Sequence, residues 1–212
     1  MKDTQPNNKN PHWWFYPGWV VLNNIIIVLA WYITWAIMNQ LVAFIGGRIE
    51  IAGHSRITED FLFIFLFLPV TGLLAGFVQY ILLRPYLPRM GWWVATTFLS
   101  WIMPIITGSL IANLLNASNN ILLIMLGMSL IGVSIALPQW WMLRQRVQHA
   151  FLWILAYGLG WGVNGLLALV TTEPLPFLLA MALIPNITTV FVLWLLLDGI
   201  PRLETNNMIS NH

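Results

Sequence analysis

Apolar residues along this chain gather into six long runs separated by short polar breaks. The runs are continuous rather than alternating, so they read as helices and not as the strands of a β-barrel. The first covers roughly Trp19 to Ile45 and stops at Gly46-Gly47-Arg48. The second runs from about Phe61 to Leu83, and Thr58-Glu59-Asp60 ahead of it reads as a helix start. A tight loop, Arg84 to Met90, leads to the third at Trp92 to Leu115, and Asn116 to Asn120 turns into the fourth at Ile121 to Leu143. Arg144 to His149 links to the fifth at Ala150 to Val170. Pro174 and Pro176 open the sixth, which ends near Leu197-Asp198-Gly199. Each run approaches the roughly 20 residues that cross a hydrocarbon core of about 30 Å. Pro69, Pro104, Pro138 and Pro185 lie inside runs, where transmembrane helices tolerate proline as a kink. The pattern predicts an all-α, polytopic membrane protein of about six transmembrane helices.

Composition agrees. Of 212 residues, 59% are hydrophobic and only 8% charged, whereas a soluble domain carries about a quarter charged. Six spans and their connections use nearly the whole length, which leaves a polar and aromatic arm at 1–17, a single transmembrane domain at 18–200 and a tail at 201–212. His12-Trp13-Trp14-Phe15-Tyr16-Pro17 is the kind of aromatic cluster that settles among headgroups. The start of the chain has no short apolar core with a small-residue cleavage site, so the first helix is expected to stay as an anchor.

Lys and Arg set the expected orientation. With the N-terminus inside, the cytoplasmic segments hold Lys2, Lys9, Arg84, Arg89, Arg144, Arg146 and Arg202, and the outer loops only Arg48 and Arg56. Both ends are therefore expected in the cytoplasm. The net charge of +2 is small and scattered, with no basic stripe for nucleic acid. The expected partners are the lipid bilayer and either other membrane subunits or further copies of the chain.

A shift of 60 residues superimposes one helical hairpin on another without a gap. Gly72, Gln79, Leu83, Arg84, Trp93, Leu99 and Trp101 meet Gly132, Gln139, Leu143, Arg144, Trp153, Leu159 and Trp161. Leucine matches are common in such a composition; Gly, Gln, Arg and Trp in register are not. Two parallel units, about 61–115 and 121–170, are expected. Gly72-xxx-Gly76 and Gly132-xxx-Ala136 place small residues on one helix face, where a second backbone can come close. Gln79 and Gln139 stand about one turn inside the membrane, as interhelical bonds or as the lining of a ligand pocket shared with the arginines. Arg84 and Arg144 can snorkel to phosphates, and Trp93 and Trp153 are expected to anchor the returning helices at the same headgroup level.

The pattern G-x6-Q-(Y/W)-x2-L-R followed by a Trp-led helix, over about residues 72–161, resembles bacterial multi-pass membrane proteins with repeated Gln-Trp-x2-Leu-Arg hairpins. The chain departs from it at Gln79-Tyr80, where the pattern has Trp. The resemblance implies a helical fold in a bacterial cytoplasmic (inner) membrane and no particular activity.

Familiar chemistries find little purchase. There is no cysteine, hence no disulfide, thiolate metal site or Cys nucleophile. Gly127-Met128-Ser129-Leu130 fits the G-x-S-x of rhomboid-like proteases, but that chemistry needs an intramembrane histidine. His12, His54, His149 and His212 all fall in loops or termini, so Ser129 reads as packing, and no haem ligand is placed either. His-Glu-x-x-His is absent. Glu50 and His54 would share a face only if the first outer loop were helical. No ionisable residue falls mid-span, where a proton or ion path would need one. Buried polar positions are amides instead, and Asn164 among Gly158, Gly160, Gly162 and Gly165 marks the fifth span for close contact. No catalytic residue, metal ligand or cofactor is assigned. The expectation is a non-enzymatic packing or assembly subunit, with a small-solute transporter or its membrane-embedded binding subunit as the alternative and a membrane enzyme last.

Overall fold

The computed structural model describes residues 11–51, 54–87, 90–115, 120–170 and 174–199. Of the arm expected at 1–17, residues 1–10 lie outside them, as does the whole tail expected at 201–212. Six helices follow in order: α1 (Phe15–Ile45), α2 (Thr58–Leu83), α3 (Trp93–Leu115), α4 (Ile121–Leu143), α5 (Phe151–Val170) and α6 (Pro174–Trp194). A π-helical turn, Leu195–Gly199, ends the last. Local chemistry sets several boundaries. The Asn120 side chain accepts from Leu122 N–H at 2.9 Å and caps α4. Gly46 stops α1 at φ 99°, a left-handed conformation that a β-carbon disfavours, while its N–H closes on Val42 O. The prolines at 69, 104, 138 and 185 are all accommodated within helices.

Helix α1 begins at Phe15, four residues ahead of the apolar run, because Phe15 and Trp19 are both fully buried and continue its inward face. Between α1 and α2 the chain forms an antiparallel hairpin of β1 (Arg48–Ile51) and β2 (His54–Ile57). Its register pairs Glu50 with Ser55 and Ile51 with His54. Glu50 and His54 thus stand on separate strands, and the helical face that would have joined them is not formed. Among the described residues no group of three His, Asp or Glu side chains comes together to hold a metal.

The helices make a closed ring. Each packs on its neighbours in sequence, and α6 returns to pack on α1. Aromatic side chains fill the middle. The Trp19 and Trp93 rings both meet Trp153 edge-on, at 6.1 and 6.4 Å, and Trp101 meets Trp161 at 6.1 Å. The outside is apolar as well: Ile25, Phe77, Leu99, Leu126, Leu159 and Phe191 are all exposed. In water so continuous an apolar exterior would drive association; against hydrocarbon it matches its solvent. Helix α1, Leu62–Leu83 of α2, and α4 are long and apolar enough to cross a membrane, and α3, α5 and α6 carry shorter apolar stretches. This is the all-α architecture of a helical membrane protein.

Candidate functional site

Helices α2 and α4 carry the same stripe of side chains. In α2 it is Gly72, Gly76, Gln79 and Leu83; in α4 it is Gly132, Ala136, Gln139 and Leu143. Steps of four, three and four residues keep each set on one face, and every member is buried. The small residues admit the following helix. A β-carbon on Gly72 would stand 2.8 Å from Trp101 Cβ and 3.0 Å from Phe98 Cα, and one on Gly76 would stand 3.0 Å from Val94 O. One on Gly132 would run into the Tyr157 carbonyl and lie 2.8 Å from Trp161 Cβ.

That close approach brings the first turn of each following helix against a glutamine. Trp93 Nε1–H donates to Gln79 Oε1 at 3.2 Å, and Trp153 Nε1–H donates to Gln139 Oε1 at 2.8 Å. Each glutamine then donates backwards to the preceding helix. Gln79 Nε2 bonds Asn23 Oδ1 on α1 at 2.8 Å, and Gln139 Nε2 bonds Thr97 Oγ1 on α3 at 3.2 Å. Asn23 is held by its own bond to Trp19 O. Tyr157 is buried beside them, its ring 5.4 Å from that of Trp153.

The remaining seams are bonded too. Trp19 Nε1–H reaches Thr189 Oγ1 at 3.3 Å and ties α1 to α6. Thr188 Oγ1 donates to Ala156 O at 2.9 Å and ties α6 to α5. Thr107 and Ser134 hydroxyls, 3.1 Å apart, reinforce α3 against α4. Every seam of the ring therefore carries at least one side-chain hydrogen bond.

Two positions differ from the sequence expectation. Trp93 and Trp153 do not face outward as anchors; both are fully buried, and their indole N–H groups bond the glutamine carbonyls inside the ring. Trp92, next to Trp93, takes the outward place at 77% exposed, and Trp141, near the end of α4, is 57% exposed. Arg84 and Arg144 are exposed and share no pocket with the glutamines. Arg144 instead lays its guanidinium over the Trp141 ring, 3.4 Å from the centroid, a cation–π contact.

Asn164 is fully buried on α5, amid glycines that meet both neighbouring helices. A β-carbon on Gly160 would stand 2.7 Å from Pro185 Cα on α6, one on Gly165 would stand 3.3 Å from Met125 Cα on α4, and one on Gly162 would strike Ser129 Oγ. Ser129 is thus a packing neighbour of α5. Thr97, Thr189 and Tyr157 went unnoticed in the sequence. Threonine and tyrosine are ordinary in apolar helices, and no motif marks them. Comparison of the chain with family models, curated proteins and solved structures gives no match.

Proposed function

We propose that the chain is a non-enzymatic subunit that packs into a larger membrane assembly. In this reading all six helices cross a bacterial inner membrane, and the arginine-bearing turns and both ends face the cytoplasm. The observation that carries it is the use of the buried amides. Gln79 and Gln139 are engaged by Trp93, Asn23, Trp153 and Thr97 of the same chain, which suits a rigid building block better than a solute pocket. The recurrence of the Gln–Trp bond at the same 14-residue separation supports descent of the two hairpins from one duplicated unit. The distribution of Lys and Arg supports the orientation. Outward-facing Tyr32, Trp35 and Asn39, exposed at helical spacing on α1, offer a neighbouring helix aromatic contact and an amide, which associates helices in lipid.

Extraction in a mild detergent followed by blue-native electrophoresis tests the proposal. The expected result is migration as a complex that Asn39→Leu weakens. Migration as a lone monomer under the gentlest conditions refutes it. A loss of solute uptake in Gln79→Leu, with assembly and stability intact, would favour the carrier instead.

A further inference from the structure

Deeper in the ring than the glutamine network, about 12 Å along the helix axis from the Trp93 and Trp153 level, stand their successors, Trp101 and Trp161. These two also correspond under the 60-residue shift. The upper pair of indole N–H groups is bonded to glutamine. The lower pair is buried to more than nine-tenths, and neither N–H has a hydrogen-bond partner among the described residues. A buried donor without an acceptor is costly, so natural structures rarely leave one.

Both indoles line one cavity of about 20 Å³, together with Asn23, Gln79, Tyr157 and Asn186. A site holds a single water when it offers at least roughly 10–15 Å³ and two to four polar partners. This one meets both conditions. The ring centroids of Trp101 and Trp161 are 6.1 Å apart. One oxygen in the cavity that both rings line can accept from two N–H groups at ordinary bond lengths. Such an oxygen has two lone pairs for two indoles, and as water it keeps two protons for the amide and hydroxyl oxygens around it. An anion would also satisfy donors. Among the described residues, however, no cationic side chain lines the cavity, and an unpaired buried ion is far costlier than a neutral guest.

We infer that this cavity is a binding site for one neutral molecule of water size, water itself, held between Trp101 and Trp161 at the centre of the ring. It links α3 and α5 through an acceptor that none of the described residues supplies. Pro185, on the cavity wall, has no N–H to give the carbonyl four residues earlier, so the wall from α6 is itself short of donors.

The test uses the full chain in lipid nanodiscs, labelled with 15N at the tryptophan indoles. Trp101→Phe and Trp161→Phe assign the two signals. Cross-relaxation to water is then recorded at each indole N–H. The expected result is a cross-peak with the sign of a long-lived water at Trp101 and Trp161, and none at Trp93 and Trp153. Absence of that cross-peak from both lower indoles, or its replacement by lipid acyl protons, overturns the inference. Ala182→Val, which fills the cavity, provides a second measure. Displacing a bonded water lowers the midpoint of thermal unfolding, whereas filling a dry void raises it, and a raised midpoint would overturn the inference too. Should the variant fail to fold, the wild-type spectrum alone decides.

Discussion

Replacing Gln139 by Leu probes the network where it is best sealed. The side chain is fully buried, accepts from Trp153 at 2.8 Å and donates to Thr97 at 3.2 Å. Leucine is close to it in volume, so the packing changes little and the loss is mainly polar. Interhelical hydrogen bonds in membrane proteins average about 0.6 kcal/mol and reach roughly 1.7, so the two bonds together contribute about 1–2 kcal/mol. The Trp153 N–H left behind is fully buried, and an orphaned buried donor costs about 1–3 kcal/mol. Part of that second figure repeats the first, which brings the expected loss to about 2–3 kcal/mol. Reversible unfolding in mixed micelles, titrated with a denaturing detergent, measures it. A double-mutant cycle with Trp153→Phe isolates the pair. Once the indole N–H is gone, the glutamine loses less on replacement, and a coupling of about 1–2 kcal/mol is expected. Strict additivity of the two substitutions would show that the Gln139–Trp153 bond has no energetic role, and the account of the ring given above would fail with it.

Other variants test other contacts. Gly132→Ala and Gly72→Ala place a β-carbon against backbone and should each destabilise by about 1–3 kcal/mol in the same assay. Gly108→Ala, in α3 with open space around it, should be neutral or gain up to about 1 kcal/mol of helix propensity. His149 sits at φ 56°, a left-handed conformation that glycine adopts freely, so His149→Gly is expected to leave stability unchanged or raise it by less than about 1 kcal/mol. Single-tryptophan fluorescence with brominated lipids should show strong quenching of Trp92 and little of Trp93, since one is exposed and the other fully buried; equal quenching would contradict the placement of Trp93 inside the ring.

Continuous apolar runs made the helices legible, and α4 starts and ends where its run does. The 60-residue register likewise picked out Gln79, Gln139, Trp93 and Trp153 as belonging together. What it did not disclose was which way the tryptophans face. Trp92 and Trp93 are adjacent, beside the same arginine-bearing turn, and a rotation of about 100° about the helix axis exchanges their places. In a soluble helix the polar face settles that rotation. Helices that are apolar all round carry no such signal, and the choice is made by the glutamine on the helix before. The hairpin at 48–57 had a signal that went unread: Arg48-Ile49-Glu50-Ile51 alternates with the period of a strand. It sits in a short polar break, where the run-length reading looks for nothing but a turn.

The bond between Trp19 and Thr189 joins α1 to α6, and that arrangement constrains the order of biogenesis. Helix α1 is made with an indole N–H whose acceptor arrives five helices later. Until α6 follows, the inner stripe of Trp19 and Asn23 has an open flank where Thr189 comes to stand. A chain that stops before α6 therefore leaves that polar stripe uncovered, which is a mark by which quality control can tell a closed ring from an open one.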